Sequence, residues 1–153
     1  MIRLLLLLLL LSFSVHVAMA ETEPIRVTAD HLEANNPAGW VSFQGNVVAD
    51  DGNVVLRAEQ MKMFVDQDDR SLLRIEAEGT VRMTQGTRVA SSNTAVFFNR
   101  ERKVVLTGNA RFKDGENLVE GQEITVFLDE ERTLVGGEGG RVNAVFRPSG
   151  EDR

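Results

Sequence analysis

Val54-Val55-Leu56-Arg57-Ala58-Glu59-Gln60-Met61-Lys62-Met63-Phe64-Val65 is the stretch whose reading decides the fold. Leu56 and Ala58 alternate with polar neighbours, the mark of a strand with one buried face. The apolar set then restarts at Met61 and Met63, three positions after Ala58. Three is odd, so in a straight strand the second set would point to the opposite face. A bulge or corner absorbs such a slip, and the small Ala58 lets the backbone bend there without a side-chain clash. The stretch reads as one long strand folded over at a corner, its two halves lining opposite walls of one slot.

The same pattern recurs at Ala29-Asp30-His31-Leu32, Ser92-Asn93-Thr94-Ala95 and Gly121-Gln122-Glu123-Ile124, at spacings of 29, 34 and 29 residues counting the copy at Ala58. A second landmark, a glycine read as opening a strand, occurs at Gly45-Asn46-Val47, Gly79-Thr80-Val81 and Gly108-Asn109-Ala110, 34 and 29 residues apart. Gly139 or Gly140 is read as starting a degenerate fourth copy. Two independent landmarks with matching spacing define an internal repeat. Further strands with one buried face are read at Val81 and Met83, Ala110 and Phe112, Ile124, Val126 and Leu128, and Val142, Ala144 and Phe146. Turns alternate between a glycine series (Asp51-Gly52, Gln85-Gly86, Asp114-Gly115) and a charged series (residues 35–39, 66–70, 99–102 and 129–132). Asp-Gly between strands is a strong hairpin signal. Stacked bent hairpins predict an all-β fold: a V-shaped antiparallel jelly-roll-like trough, apolar inside and open at both ends.

Composition agrees. After residue 20 the chain holds 17 valines against 8 leucines, which favours strands. Cysteine is absent, which excludes disulfides and thiol chemistry. The net charge of −6 argues against a nucleic-acid partner. Met1-Ile2-Arg3, the leucine run from Leu4 to Leu11 and Ala18-Met19-Ala20 have the layout of a cleavable secretory signal peptide. The expected organisation is a signal peptide over 1–20, a β-domain over 21–147 and a polar tail over 148–153, with the mature chain in the periplasm.

Four segments carry a resemblance: residues 24–30 (PIRVTAD), 43–47 (FQGNV), 104–110 (VVLTGNA) and 119–124 (VEGQEI). In this order, behind a signal peptide, they resemble the OstA-like family of lipopolysaccharide-transport proteins. The length and leader look most like that family's periplasmic bridge component. The resemblance implies a V-shaped jelly roll that carries lipopolysaccharide from inner to outer membrane. It also implies end-to-end docking with like domains of membrane partners.

Catalytic signals are thin. His31 lies beside Asp30 and Glu33 and reads as a surface residue, since a metal site needs several convergent donors. Glu76 and Glu78 share one strand face and read as solvated rather than as a glycosidase pair. Asp50-Asp51-Gly52-Asn53 and Asp66-Gln67-Asp68-Asp69 lack the ligand spacing of a calcium loop. Neither a catalytic residue, a metal nor a cofactor is assigned.

The expected groove is lined by Ile25, Val27, Met61, Met63, Val81, Met83, Phe97, Leu106, Phe112, Ile124 and Val126. Methionine gives an adaptable lining for flexible apolar ligands. The lipid's acyl chains would lie in this groove. The strands at Ile25, Arg26, Val27 and Thr28, and at Val142, Asn143, Ala144, Val145 and Phe146, are read as open edges. They would dock homologous partners or further copies head to tail by strand addition. The alternative is a self-polymerising structural β-repeat protein with a packed core and no lipid cargo.

Overall fold

The computed structural model describes residues 24–147, except Glu131 and Glu138. The leader expected over 1–20 and the tail over 148–153 lie outside the described residues. Ten strands follow one another: β1 (Arg26–Thr28), β2 (His31–Asn35), β3 (Trp40–Asp50), β4 (Val55–Val65), β5 (Leu72–Gln85), β6 (Arg88–Phe98), β7 (Lys103–Asp114), β8 (Asn117–Phe127), β9 (Arg132–Gly136) and β10 (Asn143–Val145). They form one antiparallel sheet in which each strand from β3 to β8 pairs with its sequence neighbour. β1 and β2 both pair with β3, and β9 and β10 both pair with β8. The sheet therefore ends in two bent edges, as expected of an open stack.

Every long strand is interrupted near its middle, in β4, β6 and β8 at the predicted corner. The registers shift between Gln44 and Val47, Arg57 and Gln60, Glu78 and Val81, Ser91 and Thr94, and Thr107 and Ala110. Ala58 and Met61 are both buried while Glu59 and Gln60 between them are exposed, which is the three-residue slip read from the sequence. The crease divides the sheet into two walls. One wall runs from the crease to the glycine-series turns, the other to the charged turns. Both contribute to a single apolar core, with Val47, Val81 and Met83 from the first and Met61, Leu106, Ile124 and Val126 from the second.

An expectation about glycine is corrected. Gly45, Gly79 and Gly108 do not open strands: they lie in the middle of β3, β5 and β7, at the crease. Each is left-handed, at φ +80°, +77° and +80°, and the residue after it is left-handed too. Two such residues turn the chain from one wall to the other, a conformation that glycine adopts without a Cβ penalty. The glycine also leaves room for the polar residue of the neighbouring corner. A Cβ placed on Gly79 would sit 2.6 Å from the Glu59 carboxyl group, and one on Gly108 2.7 Å from the Asn93 amide. The two landmarks are thus one device seen from adjacent strands. At the fourth corner two glycines face Gln122: a Cβ on Gly137, at φ +129°, would lie 2.8 Å from the Gln122 Cβ and one on Gly140 3.2 Å from it, while Gly139 meets nothing.

The C-terminal strand also differs from expectation. Val142, Val145 and Phe146 are exposed, and β10 has no buried face. It pairs with the edge of β8 on the first wall but no strand lies beyond it.

Candidate functional site: an apolar slot between two walls

The eleven predicted groove residues all fall on the inner faces. Val27, Val81, Met83 and Phe112 stand on the first wall, with Ile25 at its lip beside β1. Met61, Met63, Phe97, Leu106, Ile124 and Val126 stand on the second. Cross-strand register ties each set together: Met61 faces Ala77, Leu106 lies between Ala95 and Ile124, and Met83 lies between Leu56 and Ala90. Strand alternation puts these residues inside, and the slip at the corner turns both sets toward each other.

Depth divides them. Met61, Val81, Met83, Leu106, Ile124 and Val126 are at most 2% exposed and form the packed floor of the slot. Ile25 is 36% exposed, and Met63 and Phe97 are half-buried against the core. Between the two lips remains a cavity of about 40 Å³ lined by Ile25, Leu56, Ile75, Met83, Phe97 and Val104, among others. That is room for a few waters, at roughly 10–15 Å³ each on this measure, and not for an acyl chain. In this conformation the slot is narrow inside and opens to solvent at its mouth.

The predicted groove set leaves out several members of this lining, although periodicity already reads Leu56 and Leu128 as inward-facing. Ile75, Val104 and Leu128 reach the cavity from the second wall, and Ala49, Val54 and Leu56 from the first. Ala49 and Val104 sit within plain alternation and were readable by extending the phase from Val47 and Leu106. Polar chemistry inside is sparse. Ser92 is the buried polar residue at the corner of β6, and its hydroxyl donates to the Thr94 carbonyl at 2.8 Å. Glu76 lies outside, with its carboxylate 2.8 Å from Arg74 Nε. His31 is exposed on β2. Among the described residues no three His, Asp or Glu side chains come together to hold a metal.

Among the described residues four strand edges remain unpaired: the outer sides of β1, β2, β9 and β10. The predicted docking residues from Ile25 to Thr28 and Val142 to Phe146 cover one wall's share of each end. The sequence reading did not extend the edges to β2 and β9, which continue them across the crease on the other wall. Exposed apolar side chains accompany all four: Ile25, Leu32, Leu134, and the group Val142, Val145 and Phe146.

Comparison with known proteins agrees with this architecture. An uncharacterised protein of Rhizobium meliloti (strain 1021) is 25% identical over 138 residues, covering 85% of this chain and 74% of its own. The crystal structure of LptH from Pseudomonas aeruginosa, described as the LptA-homologous periplasmic component of the conserved lipopolysaccharide transport device, superimposes with a TM-score of 0.76. It is 23% identical and covers 82% of this chain and 96% of its own. Its likeness shows that this sheet is the β-jelly roll of that structure. Residues 26–132, from the first edge strand to the start of the last repeat, match the model of the LptA/(LptD N-terminal domain) LPS transport protein family, to which this chain therefore belongs.

Proposed function

We propose that the chain is a periplasmic carrier that holds lipopolysaccharide by its acyl chains between the two walls and passes it from inner to outer membrane. Membership of a family of non-enzymatic transport proteins gives the class of activity. The observation that carries the finer reading is the slot itself. Its inner faces are apolar from β3 to β8, and the same bent hairpin recurs along its length. A lipid tail moving along it would meet nearly the same surroundings at each repeat, so each transfer step would change the free energy little. Burial of methylenes against these walls, at about 0.8 kcal/mol each, would supply the affinity. Net charge would not, because the chain and a phosphorylated lipid are both anionic.

The narrowness of the cavity sets a condition on this reading. Acyl chains enter only as the lips part, and the half-buried Met63 and Phe97 are the side chains that would meet them first. Rotatable methionine side chains re-pack against flexible partners at small cost. At its two ends the carrier would dock homologous membrane components or further copies through the bent edges, head to tail, giving open rods rather than closed rings. A cargo-free polymer is disfavoured by the family. Native mass spectrometry of protein recovered from the periplasm tests the carrier reading. A co-purified acylated glycolipid is expected. A protein that is lipid-free, and that shows no photo-crosslink from position 97 to added lipopolysaccharide, would overturn it.

A further inference from the structure

The outer face of the second wall carries a repeated feature that the slot does not explain. At the lip, each of three consecutive hairpins closes with an aromatic residue directly opposite a basic one. Phe64 pairs with Arg74, Phe98 with Lys103, and Phe127 with Arg132. The cation sits over the ring in every case, at 3.8, 5.0 and 3.8 Å from the centroid. A fourth ring, Trp40, lies opposite Phe64 and is covered by Lys62 at 4.2 Å. All of these point away from the core, since their strand neighbours Met63, Phe97, Val104 and Val126 point into it. The corresponding hairpins of the first wall close with Asp50 opposite Val55, Gln85 opposite Arg88, and Asp114 opposite Asn117. The two lips of the mouth are therefore unlike: one bears ring–cation pairs across its hairpin ends and the other does not.

We propose that the three ring–cation pairs are successive stations for the anionic, phosphorylated sugar head of the lipid whose tails occupy the slot. The proposal rests on the carrier reading and adds where the head goes. Two physical points favour it. First, the stations repeat every two strands, roughly 10 Å along the trough from the usual strand spacing. They step with the same hairpin repeat as the slot, so head and tails advance together. Second, a guanidinium stacked on a ring keeps its in-plane N–H groups free at its edge, in the fork that matches phosphate oxygens. Arg74 gives one such group to Glu76, at 2.8 Å, and Arg132 one to Glu130, at 3.0 Å, which leaves further donors on each. Acids stand on both lips and are held alike, Asp50 by the Gly52 amide and Asp51 by the Asn53 amide on one, Asp66 by the Asp68 amide and Asp69 by the Ser71 amide on the other, so the ring–cation pairs rather than the acids set the lips apart.

The test compares binding of intact lipopolysaccharide with binding of the same material after enzymatic dephosphorylation. It uses the wild-type chain and the triple variant Arg74→Gln, Lys103→Gln, Arg132→Gln. The variant is expected to bind intact lipopolysaccharide at least tenfold more weakly and the dephosphorylated form within twofold of wild type. Lys103→Arg alone should bind both forms as wild type does. Equal weakening toward both forms would mean that the pairs only stiffen the lip, and would overturn the proposal. Unchanged binding of both forms would overturn it as well. If wild type binds neither form, the carrier reading itself falls and this one with it.

Discussion

Truncating Leu106 and charging Phe97 separate the floor of the slot from its mouth. Leu106 is fully buried, between Ala95 on β6 and Ile124 on β8. Ala95 is too small to fill the hole left by Leu106→Ala, so collapse is limited and the loss should be about 2–5 kcal/mol. With a urea dependence of roughly 2 kcal/mol per molar, the unfolding midpoint falls by about 1–2.5 M. The molecules that remain folded keep their lips and should still bind lipopolysaccharide. Phe97→Asp acts the other way. The ring is half-buried at the lip, and a shorter carboxylate there can turn toward water, so stability should fall by only about 1–2 kcal/mol. A hydrated carboxylate on the wall keeps two or three methylenes of a tail from contact. That costs about 2 kcal/mol of binding, or about thirtyfold in affinity. Urea unfolding followed by intrinsic Trp40 fluorescence, with lipid titration of the same samples, reads both. If Phe97→Asp binds lipid as wild type does, or if Leu106→Ala unfolds at an unchanged midpoint, the division into floor and mouth is wrong.

Gly79→Ala should lower stability by about 1–3 kcal/mol, because it combines a left-handed φ with a contact against Glu59. Adding Glu59→Ala should recover only the contact part, as urea titration of the double variant would read. Val145→Lys with Phe146→Asp should keep the chain monomeric across a concentration series in light scattering, under conditions where the wild type lengthens. Asp69 is held below its ordinary value of 3.8 by hydrogen bonds from Ser71, first from its side chain and then from its backbone. Its contribution to the 66–71 turn should be present above that value and fade as pH falls through the lowered one. Observing the Asp69 carboxyl carbon by NMR would show this, and Ser71→Ala should move its titration back upward.

The repeat and its crease were legible because a slip of phase leaves a trace in one dimension. Ala58 and Met61 cannot both be buried on a straight strand, and the same contradiction recurs at Ser92 and Ala95. What the left-handed pair at Gly45 and Asn46 does was not legible, because two residues turning the chain over preserve the even step from Phe43 to Val47. The degenerate copy was not legible to the residue for a related reason. In Gly136-Gly137-Glu138-Gly139-Gly140 any glycine fits the local pattern, and only packing against Gln122 on β8 sets Gly137 and Gly140 apart from Gly136 and Gly139. Periodicity likewise said which side chains of the slot face inward but not how near the walls stand, so eleven lining residues were named where most are packed floor. Val142, Ala144 and Phe146 alternate as a buried strand would, yet they lie at an edge where no further strand covers them. The ring–cation pairs were readable only after the hairpins were placed, since Phe64 and Arg74 are ten residues apart in sequence while Phe98 and Lys103, and Phe127 and Arg132, are five.

Pairing of each strand from β3 to β8 with its sequence neighbour also governs how quickly the chain acquires its structure. Most all-β domains bring distant segments together before any sheet is stable, and the loop-closure entropy slows them to milliseconds or seconds. Here each hairpin closes locally, in about microseconds for an isolated one. Each adds to the last without a long-range search, and only β1 on β3 and β10 on β8 skip a strand. A chain built this way has a low contact order for its class. It should fold near the fast end of the β range, from any hairpin outward, with no cysteine to oxidise along the way.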